Sequence, residues 1–285
     1  MIASRAMDAK ISILCIAGPT ASGKTARAVA EATARGGEII SVDSRQVYRG
    51  LDIGTEKVTR EEMGGIPHHL IDIRNPEERY SAGDFVTDAV HCIEEICAQG
   101  KVPILAGGTH FYFDALLHGL PTGVATNQEL RDTLEQYSDE ELYARVVHAD
   151  ARRAAELDPH NRRRLIRALE IIDALGAVPP RHVEQTNQYE PEWIVIDLPK
   201  EELRARIDTR LKQAFERGLI DEVQHVRARV GDARLNELGL EYRVVGEYLR
   251  GERSEESLLP TLSAKLWHYA RHQKAWLRKL GHSCY

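Results

Sequence analysis

The sequence has few cysteines and no long apolar run. Its 285 residues include only Cys15, Cys92, Cys97 and Cys284, and none of these forms a C-x-x-C pair. This pattern excludes a disulfide framework and a cysteine-rich zinc site, and it indicates reduced thiols. No apolar stretch approaches transmembrane length, and residues 1–10 lack the apolar core of a signal peptide. We therefore expect a cytoplasmic protein with no membrane partner.

The sequence also lacks an excess of positive charge. Its formal net charge is −6, which taken alone argues against a nucleic-acid partner. The charge is uneven, however. Residues 152–167 carry six arginines against two acids, and residues 257–285 contain no Asp or Glu but several basic residues. These two segments are compatible with binding of a phosphate backbone, but ordinary solvated helix faces would look the same.

A phosphate-binding motif stands near the start of the chain. Residues 18–25 match G-x-x-x-x-G-K-[ST] at every fixed position, between an apolar run at 11–17 and a helix predicted over 26–35. In such a loop, backbone N–H groups converge on an anion at a helix N-terminus. The predicted diphosphate-binding residues are Gly18, Pro19, Thr20, Ala21, Ser22, Gly23, Lys24 and Thr25. Lys24 adds a charge, and the Thr25 hydroxyl is the predicted ligand of a Mg²⁺ cofactor.

Further short strands are predicted at residues 38–42, 70–73 and 102–106. The first and last end at Asp43 and at Gly107-Gly108-Thr109. Because carboxyl ends of parallel strands face the ligand crevice in open α/β sheets, Asp43 and Thr109 are expected beside the phosphate loop. The two glycines would let the backbone approach a ligand, or they form a plain strand-to-helix turn.

Three polar residues near the predicted third strand leave alternatives open. His68 and His69 are either catalytic or hydrogen-bonded parts of the loop–strand junction. Asp72 either holds Mg²⁺ through water or caps a turn. By contrast, Ser81 and Asp84 form a capping-box pattern at the start of a helix that runs to about residue 98, and we expect both to be structural.

The alternation of strands and helices stops after residue 113. Residues 114–189 have only helical patterns broken by turns, and a β run returns at 193–198. The predicted fold is α/β, a P-loop NTPase-like parallel sheet with flanking helices, plus an all-helical insertion domain. The catalytic core would comprise residues 8–113 and 190–285, and the insertion would comprise 114–189.

Two late helices carry candidate phosphate contacts. On the helix predicted over 201–217, Arg206 has Glu202 four residues before it, whereas Arg210 has no acid one turn away, so Arg210 is the better candidate for a phosphate. In the last helix, an apolar stripe that includes Tyr269 and Gln273 runs beside a basic stripe. We define the basic stripe by His268, Arg271, Lys274, Arg278 and His282.

With these motifs in place, the chain resembles tRNA dimethylallyltransferases over residues 13–279. The resemblance rests on the motifs GPTASGKT (18–25), DSRQVY (43–48), DIGT (52–55), PHHLID (67–72), GGT (107–109), RLIRALE (164–170), LGLEYR (238–243), and on Gln273 with Trp276. Many members have Lys-Arg-Gln where this chain has Arg271-His272-Gln273, and Gly-Tyr where it has Glu241-Tyr242. The phosphate loop alone would be shared with many kinases, but the ordered set is specific.

The resemblance implies a reaction and assigns roles to residues. The phosphate loop would hold the diphosphate of dimethylallyl diphosphate, Thr109 and Arg210 would contact it, and Asp43 would be the base at N6 of adenosine-37 in the anticodon stem-loop. The expected tRNA contacts are Asp43, Ser44, Arg45, Gln46, Arg163, Arg164, Arg167, Tyr242, Arg243, Arg271, Gln273, Lys274 and Arg278. We expect a monomer.

Two other functions fit parts of the pattern. An ATP-dependent kinase of a nucleotide or small metabolite would use the same loop and an arginine-bearing helix. A non-catalytic RNA-binding protein could retain the loop without chemistry, although an intact Lys24-Thr25 beside Asp43 argues against it.

Overall fold

The computed structural model describes residues 10–120, 124–179 and 188–281. Outside them lie Cys284, His282 of the basic stripe, and parts of the predicted insertion at 121–123 and 180–187. Within these ranges the strands form a single parallel sheet of order β3-β2-β4-β1-β5. The strands are β1 (Ile11–Ala17), β2 (Gly37–Val42), β3 (His68–His69), β4 (Val102–Gly107) and β5 (Tyr189–Val195).

Eleven α-helices are present in the described residues. They are α1 (Lys24–Arg35), α2 (Ala82–Ala98), α3 (His110–His118), α4 (Gln128–Leu134), α5 (Asp139–Ala149), α6 (Ala151–Ala155), α7 (Arg162–Leu175), α8 (Lys200–Glu216), α9 (Leu219–Leu235), α10 (Leu240–Leu249) and α11 (Leu258–Gly281). Among them, none combines the length and the apolar character needed to cross a bilayer.

The sheet confirms the predicted α/β class but corrects two strands. Residues 70–73 are not a strand, because Leu70 and Asp72 have φ values of 62° and 55°, in the left-handed region that an extended chain cannot use. The strand lies instead at His68–His69, paired with Ile39 and Ile40. Strand β5 begins four residues before the predicted position, because its pairing with β1 starts at Tyr189.

Both faces of the sheet are buried, which explains the continuous apolar runs. Along β1, Ile13 and Cys15 belong to a cluster with Phe85 of α2, whereas Leu14 and Ile16 pack in a second cluster with Ala28 of α1. Each fully buried large side chain of this kind stabilises the fold by about 1.5–3 kcal/mol. Helices α8 to α11 share a third cluster.

Local signals fix the ends of two helices as predicted. Ser81 and Asp84 form the capping box of α2, in which the Ser81 hydroxyl accepts from the Asp84 N–H at 3.2 Å and Asp84 Oδ2 accepts from the Ser81 N–H at 2.8 Å. Helix α1 ends at Gly36, which has a φ of 64° and donates its N–H to the Ala32 carbonyl.

The chain divides into two compact units. One comprises Met1–Leu117 with Thr186–Tyr285, and the other comprises His118–Gln185. The second unit contains α4 to α7 and has its own apolar core, which includes Leu142, Val146 and Leu165. Its buried Glu170 accepts from Arg131 at 2.8 Å and from Arg167 at 3.1 Å, so the buried carboxylate is fully paired.

Candidate active site

The phosphate loop lies between β1 and the N-terminus of α1, as the motif requires. Ala21 and Gly23 have φ values of 61° and 88°, and the Ser22 N–H donates to the Pro19 carbonyl at 3.3 Å. These conformations curl the backbone into a concave loop ahead of the helix. Lys24 Nζ donates to the Pro19 carbonyl at 2.6 Å, so the ammonium folds back over the loop.

The Lys24 ammonium is electrostatically strained. Burial, and after it the charge of nearby Arg210, lower its pKa from the ordinary value of 10.5 to about 8, while Asp43 opposes the change. A bound polyanion would relieve this strain, because it would offset both the lost hydration and the repulsion from Arg210. The loop is therefore arranged for an anionic ligand.

Asp43 and Thr109 stand at neighbouring strand ends, as predicted. Asp43 Oδ1 accepts from the N–H groups of Arg45 at 2.8 Å and Gln46 at 3.2 Å, while Oδ2 has no hydrogen-bond partner within the described residues. The Thr109 hydroxyl oxygen accepts from the Ser44 N–H at 3.3 Å. One carboxylate oxygen thus fixes the turn after β2 and leaves the other for a ligand.

The phosphate loop and Asp43 lie at a cavity of about 510 Å³. It is lined by residues 20–25 of the loop, Asp43, Glu56, His68, Arg206, Arg210, Arg217, Tyr269 and Gln273, among others, whereas Gly18, Pro19 and Thr109 are not among the lining residues. Arg210 Nε lies 3.7 Å from Glu56 Oε1, and Arg217 lies 2.7 Å from the same oxygen. The predicted Arg206–Glu202 ion pair is confirmed at 2.8 Å. An anion site and an aspartate therefore share one cavity.

Comparison with known proteins places the chain in a family. A family model described as IPP transferase matches residues 46–280. The chain belongs to the IPP transferase family. The tRNA dimethylallyltransferase of Anaeromyxobacter dehalogenans is 42% identical over 275 residues, covering 94% of this chain and 92% of that protein. The tRNA dimethylallyltransferase of Halalkalibacterium halodurans is 39% identical over 279 residues, covering 94% and 88%.

Solved structures agree with this IPP transferase assignment. The full-length tRNA isopentenylpyrophosphate transferase of Bacillus halodurans superposes with a TM-score of 0.70 at 37% identity, covering 94% of this chain and 87% of that one. A eukaryotic dimethylallyltransferase acting on tRNA gives a TM-score of 0.82 at 27% identity, covering 94% and 70%. The P-loop-like fold and the family resemblance predicted from the motifs are confirmed.

Gln273, predicted as a tRNA contact, has a structural role in this IPP transferase. Its side chain is buried, its Oε1 accepts from the Thr20 N–H at 2.9 Å, and its Nε2 donates to the Gly108 carbonyl at 3.0 Å. A Cβ at Gly108 would lie 2.5 Å from that Nε2, so the glycine makes room for Gln273. A polar residue within an apolar helical stripe was the signal that could have indicated this role.

Tyr242 and Lys274 are corrected in the same way. Tyr242 is 1% exposed and its hydroxyl donates to Glu222 at 2.7 Å, so it cannot reach an RNA surface. Lys274 Nζ lies 2.6 Å from both the Asp197 carboxylate and the Leu198 carbonyl, and it is largely buried. Neither side chain is available to tRNA phosphates in this structure.

The other predicted tRNA contacts differ in how exposed their side chains are to solvent. Arg163, Arg164, Arg243, Arg271 and Arg278 are exposed, while Ser44, Arg45, Gln46 and Arg167 are partly exposed. The Arg167 guanidinium already has partners within the protein, because it pairs with Glu170 and donates to the Val124 carbonyl at 2.7 Å. The Gln46 amide donates to the carbonyls of Thr55 and Glu56, both at 3.2 Å.

The residues that the sequence left undecided are now distinguished. His69 Nε2 lies 2.6 Å from buried Glu38, which also pairs with Lys101, so His69 is structural. His68 lines the cavity, and burial lowers its pKa. Asp72 pairs with Lys57 at 2.6 Å and is not among the cavity-lining residues, which argues against a metal-binding role.

Sequence reasoning missed two side chains of the cavity. Tyr269, predicted to lie in the apolar stripe, is 47% exposed and lines the cavity. Glu56 was not singled out, although it faces Arg210 and Arg217. No local pattern marks Glu56, because its arginine partners come from more than 150 residues further along the chain.

Proposed function

We propose that this protein transfers a dimethylallyl group from dimethylallyl diphosphate to N6 of adenosine-37, next to the anticodon of tRNA, and releases diphosphate. The observation that carries the proposal is that Asp43 lines the same cavity as the phosphate loop and Arg210. An anion site and a carboxylate base therefore meet where two substrates have to react. Membership in the IPP transferase family and relatives named tRNA dimethylallyltransferases support this reaction.

The phosphate loop binds the leaving group. As the allylic C–O bond breaks, its electron pair moves onto the diphosphate, and the loop N–H groups, Lys24 and Arg210 stabilise the growing charge. Thr109 is not itself among the cavity-lining residues, but it directly follows Gly108, which is. Its hydroxyl oxygen accepts from the Ser44 N–H, so its hydroxyl group is left to donate a hydrogen bond to a diphosphate oxygen. The allyl fragment becomes cation-like and accepts electrons from the amine.

Asp43 removes the proton from the nucleophile. The exocyclic amine of adenine is a weak nucleophile, so a positioned acceptor has to hold its N–H as N6 attacks the allylic carbon. The C–N bond forms, and the proton passes from N6 to Asp43 Oδ2. The turn that binds Oδ1 keeps the carboxylate in place during this step.

Mg²⁺ fits the donors present. Thr25 is exposed in the first turn of α1 and lines the cavity with Asp43, and no cluster of three His, Cys, Asp or Glu side chains suited to a metal occurs in the described residues. Mg²⁺ commonly takes one or two protein oxygens and fills its shell with water and substrate phosphates. Thr25 would hold it, and it would supply further charge neutralisation at the diphosphate.

The acceptor adenine has to leave its stack to reach Asp43. Tyr269 lines the cavity and exposes nearly half of its surface, so its ring is available for stacking by the extruded base. Exposed Arg271 and Arg278 on α11, and Arg163 and Arg164 on α7, supply contacts to the phosphates of the anticodon stem-loop.

One incubation tests the proposed function. The protein is mixed with tRNA and Mg²⁺ and with either dimethylallyl diphosphate or ATP, and the digested nucleosides are analysed by mass spectrometry. We expect N6-dimethylallyladenosine only with the allylic diphosphate. ATP hydrolysis or phosphoryl transfer without prenylation would support a kinase, and tRNA binding without any product would support a non-catalytic RNA-binding protein.

Replacement of Asp43 tests the mechanism. Asp43→Asn still accepts a hydrogen bond but cannot readily take the proton, so single-turnover prenylation should slow by about 10²- to 10⁴-fold. The matched control is Asp221→Asn, which removes an exposed carboxylate from α9 and should leave the rate unchanged. A near-normal rate in folded Asp43→Asn would leave His68 as the next candidate, and rescue by added Mg²⁺ would assign Asp43 to the metal.

A further inference from the structure

We infer that Glu222, on α9, is a positioning residue that holds the loop at residues 52–57 and, through Gln46, the catalytic carboxylate of Asp43. This inference rests on the proposed function. Glu222 lies outside every motif of the sequence and does not line the cavity. It would act on the reaction only through the backbone that it binds.

The Glu222 carboxylate binds three successive backbone amides. Its Oε2 accepts from the N–H groups of Asp52 at 2.9 Å and Ile53 at 2.6 Å, and its Oε1 accepts from the Gly54 N–H at 2.9 Å. Three consecutive N–H groups that converge on one anion form a backbone nest. Hydrogen bonds to a charged acceptor are roughly twice as strong as neutral ones, so this contact fixes the start of the loop.

Tyr242 orients the carboxylate from the other side. Its hydroxyl donates to Glu222 Oε1 at 2.7 Å, and burial, followed by the charge of Glu222, raises the pKa of Tyr242 well above its ordinary value, so the hydroxyl stays protonated. A Cβ at Gly54 would lie 2.9 Å from the Tyr242 ring, so the loop packs directly on that ring. The Asp-Ile-Gly of the DIGT motif and the Tyr of LGLEYR thus belong to one assembly.

The loop is connected to Asp43 by Gln46. The carbonyls of Thr55 and Glu56 both accept from Gln46 Nε2 at 3.2 Å, and the Gln46 N–H donates to Asp43 Oδ1 at 3.2 Å. A displacement of the loop would therefore move the turn that aims Asp43. The same loop carries Glu56, which lies 3.7 Å from Arg210, whereas the donors of the phosphate loop stand between β1 and α1.

Replacing Glu222 by glutamine changes the chemistry of the side chain but keeps its shape. Glu222→Gln replaces one acceptor oxygen by an NH₂ group, which cannot accept from the loop amides and repels them. Because a misplacement of about 1 Å can cost about 10²-fold in rate, we expect kcat to fall by about 10- to 100-fold. The KM for dimethylallyl diphosphate should change by no more than about threefold, because the phosphate loop is built on separate elements.

Three controls separate positioning from general destabilisation. Asp221→Asn makes the same charge change on the neighbouring residue and should leave kcat unchanged. Glu222→Asp keeps the charge and should recover part of the lost kcat. Hydrogen exchange at the amides of residues 52–54 should accelerate in Glu222→Gln while the amides of β1 and α2 stay protected.

A double-mutant cycle tests the connection to Asp43. If Glu222 and Gln46 act through the same chain of contacts, Glu222→Gln with Gln46→Ala should lose less kcat than the product of the two single losses. The inference would be overturned if the two losses of kcat simply multiplied, or if kcat in Glu222→Gln fell only in proportion to the folded fraction. Neither result would affect the proposed function, because the wild-type protein would still be active. A wild-type protein without prenylation activity would overturn the proposed function, and this inference with it.

Discussion

Short sequence patterns predict both the phosphate loop and the basic stripe of α11, but only the phosphate loop has its predicted groups all in the predicted place. The loop forms where the motif places it, and its residues 20–25 line one cavity. On α11, Arg271 and Arg278 are exposed, but Lys274 pairs with Asp197 and the adjacent Gln273 links Thr20 to Gly108. The phosphate-loop motif predicts where its binding groups lie. The spacing of the basic residues predicts only which side of α11 they share, not what each side chain contacts.

The difference has a physical cause. In the loop, the binding groups are backbone N–H donors, and their positions follow once residues 18–25 adopt the turn between β1 and α1. On a helix, periodicity fixes the direction of each side chain but not its partner. The partners of Lys274 and Gln273 come from residues 76 and 253 positions away, and no local pattern contains them.

Among the tests of this comparison, we expect the largest effect at the phosphate loop, on the affinity for the donor. Lys24→Ala removes the fixed charge of the loop, and a hydrogen bond to a charged group contributes about 1.5–3 kcal/mol, so the donor should bind about 10- to 150-fold more weakly. Titration calorimetry with dimethylallyl diphosphate and with ATP measures this. Micromolar affinity for ATP together with none for the allylic diphosphate would contradict the proposed donor.

Gln273 provides the next test, because it joins the two regions. Gln273→Leu keeps the volume but leaves the Thr20 N–H and the Gly108 carbonyl without their partner, which should cost about 1–3 kcal/mol of stability and weaken donor binding. Gln273→Glu is the matched control, since it retains the acceptor for Thr20. If Gln273→Leu instead weakened tRNA binding and left donor affinity and melting temperature normal, Gln273 would be a tRNA contact, as the resemblance implies.

The fold was predictable wherever a local signal sufficed, and the site only in part. Strand β1, the capping box at Ser81 and the anion loop follow from neighbouring residues. Strand β3 was misplaced because the left-handed conformations of Leu70 and Asp72 depend on tertiary contacts. Helical spacing places Tyr269 in the apolar stripe of α11, because spacing alone cannot distinguish a buried position from the wall of a cavity.

The pKa of Lys24 predicts a pH dependence for the loop. With a pKa of about 8 in the free protein, Lys24 is mostly protonated at pH 7 and loses its charge as the pH rises through 8. Because diphosphate binds the protonated form, donor affinity should be level below pH 8 and fall by up to about tenfold per unit above it. Phosphate ionisation, near pH 6, is complete in that window. Lys24→Ala should show no such fall, and a wild-type affinity that stays constant to pH 9.5 would contradict the assignment.

The smallest effect tests whether the basic stripe divides as the structure indicates. Neutralising Arg271 and Arg278 together should reduce the slope of log affinity for tRNA against log salt by roughly 0.7–0.9 for each lost phosphate contact. Lys274→Ala removes one positive charge from the same stripe, but its ammonium is held by Asp197 and the Leu198 carbonyl. We therefore expect Lys274→Ala to lower the melting temperature and leave the salt slope unchanged. Filter binding across a salt series distinguishes the two cases: a reduced slope in Lys274→Ala would mean that this lysine exchanges Asp197 for an RNA phosphate, and the stripe would then act as the sequence first suggested.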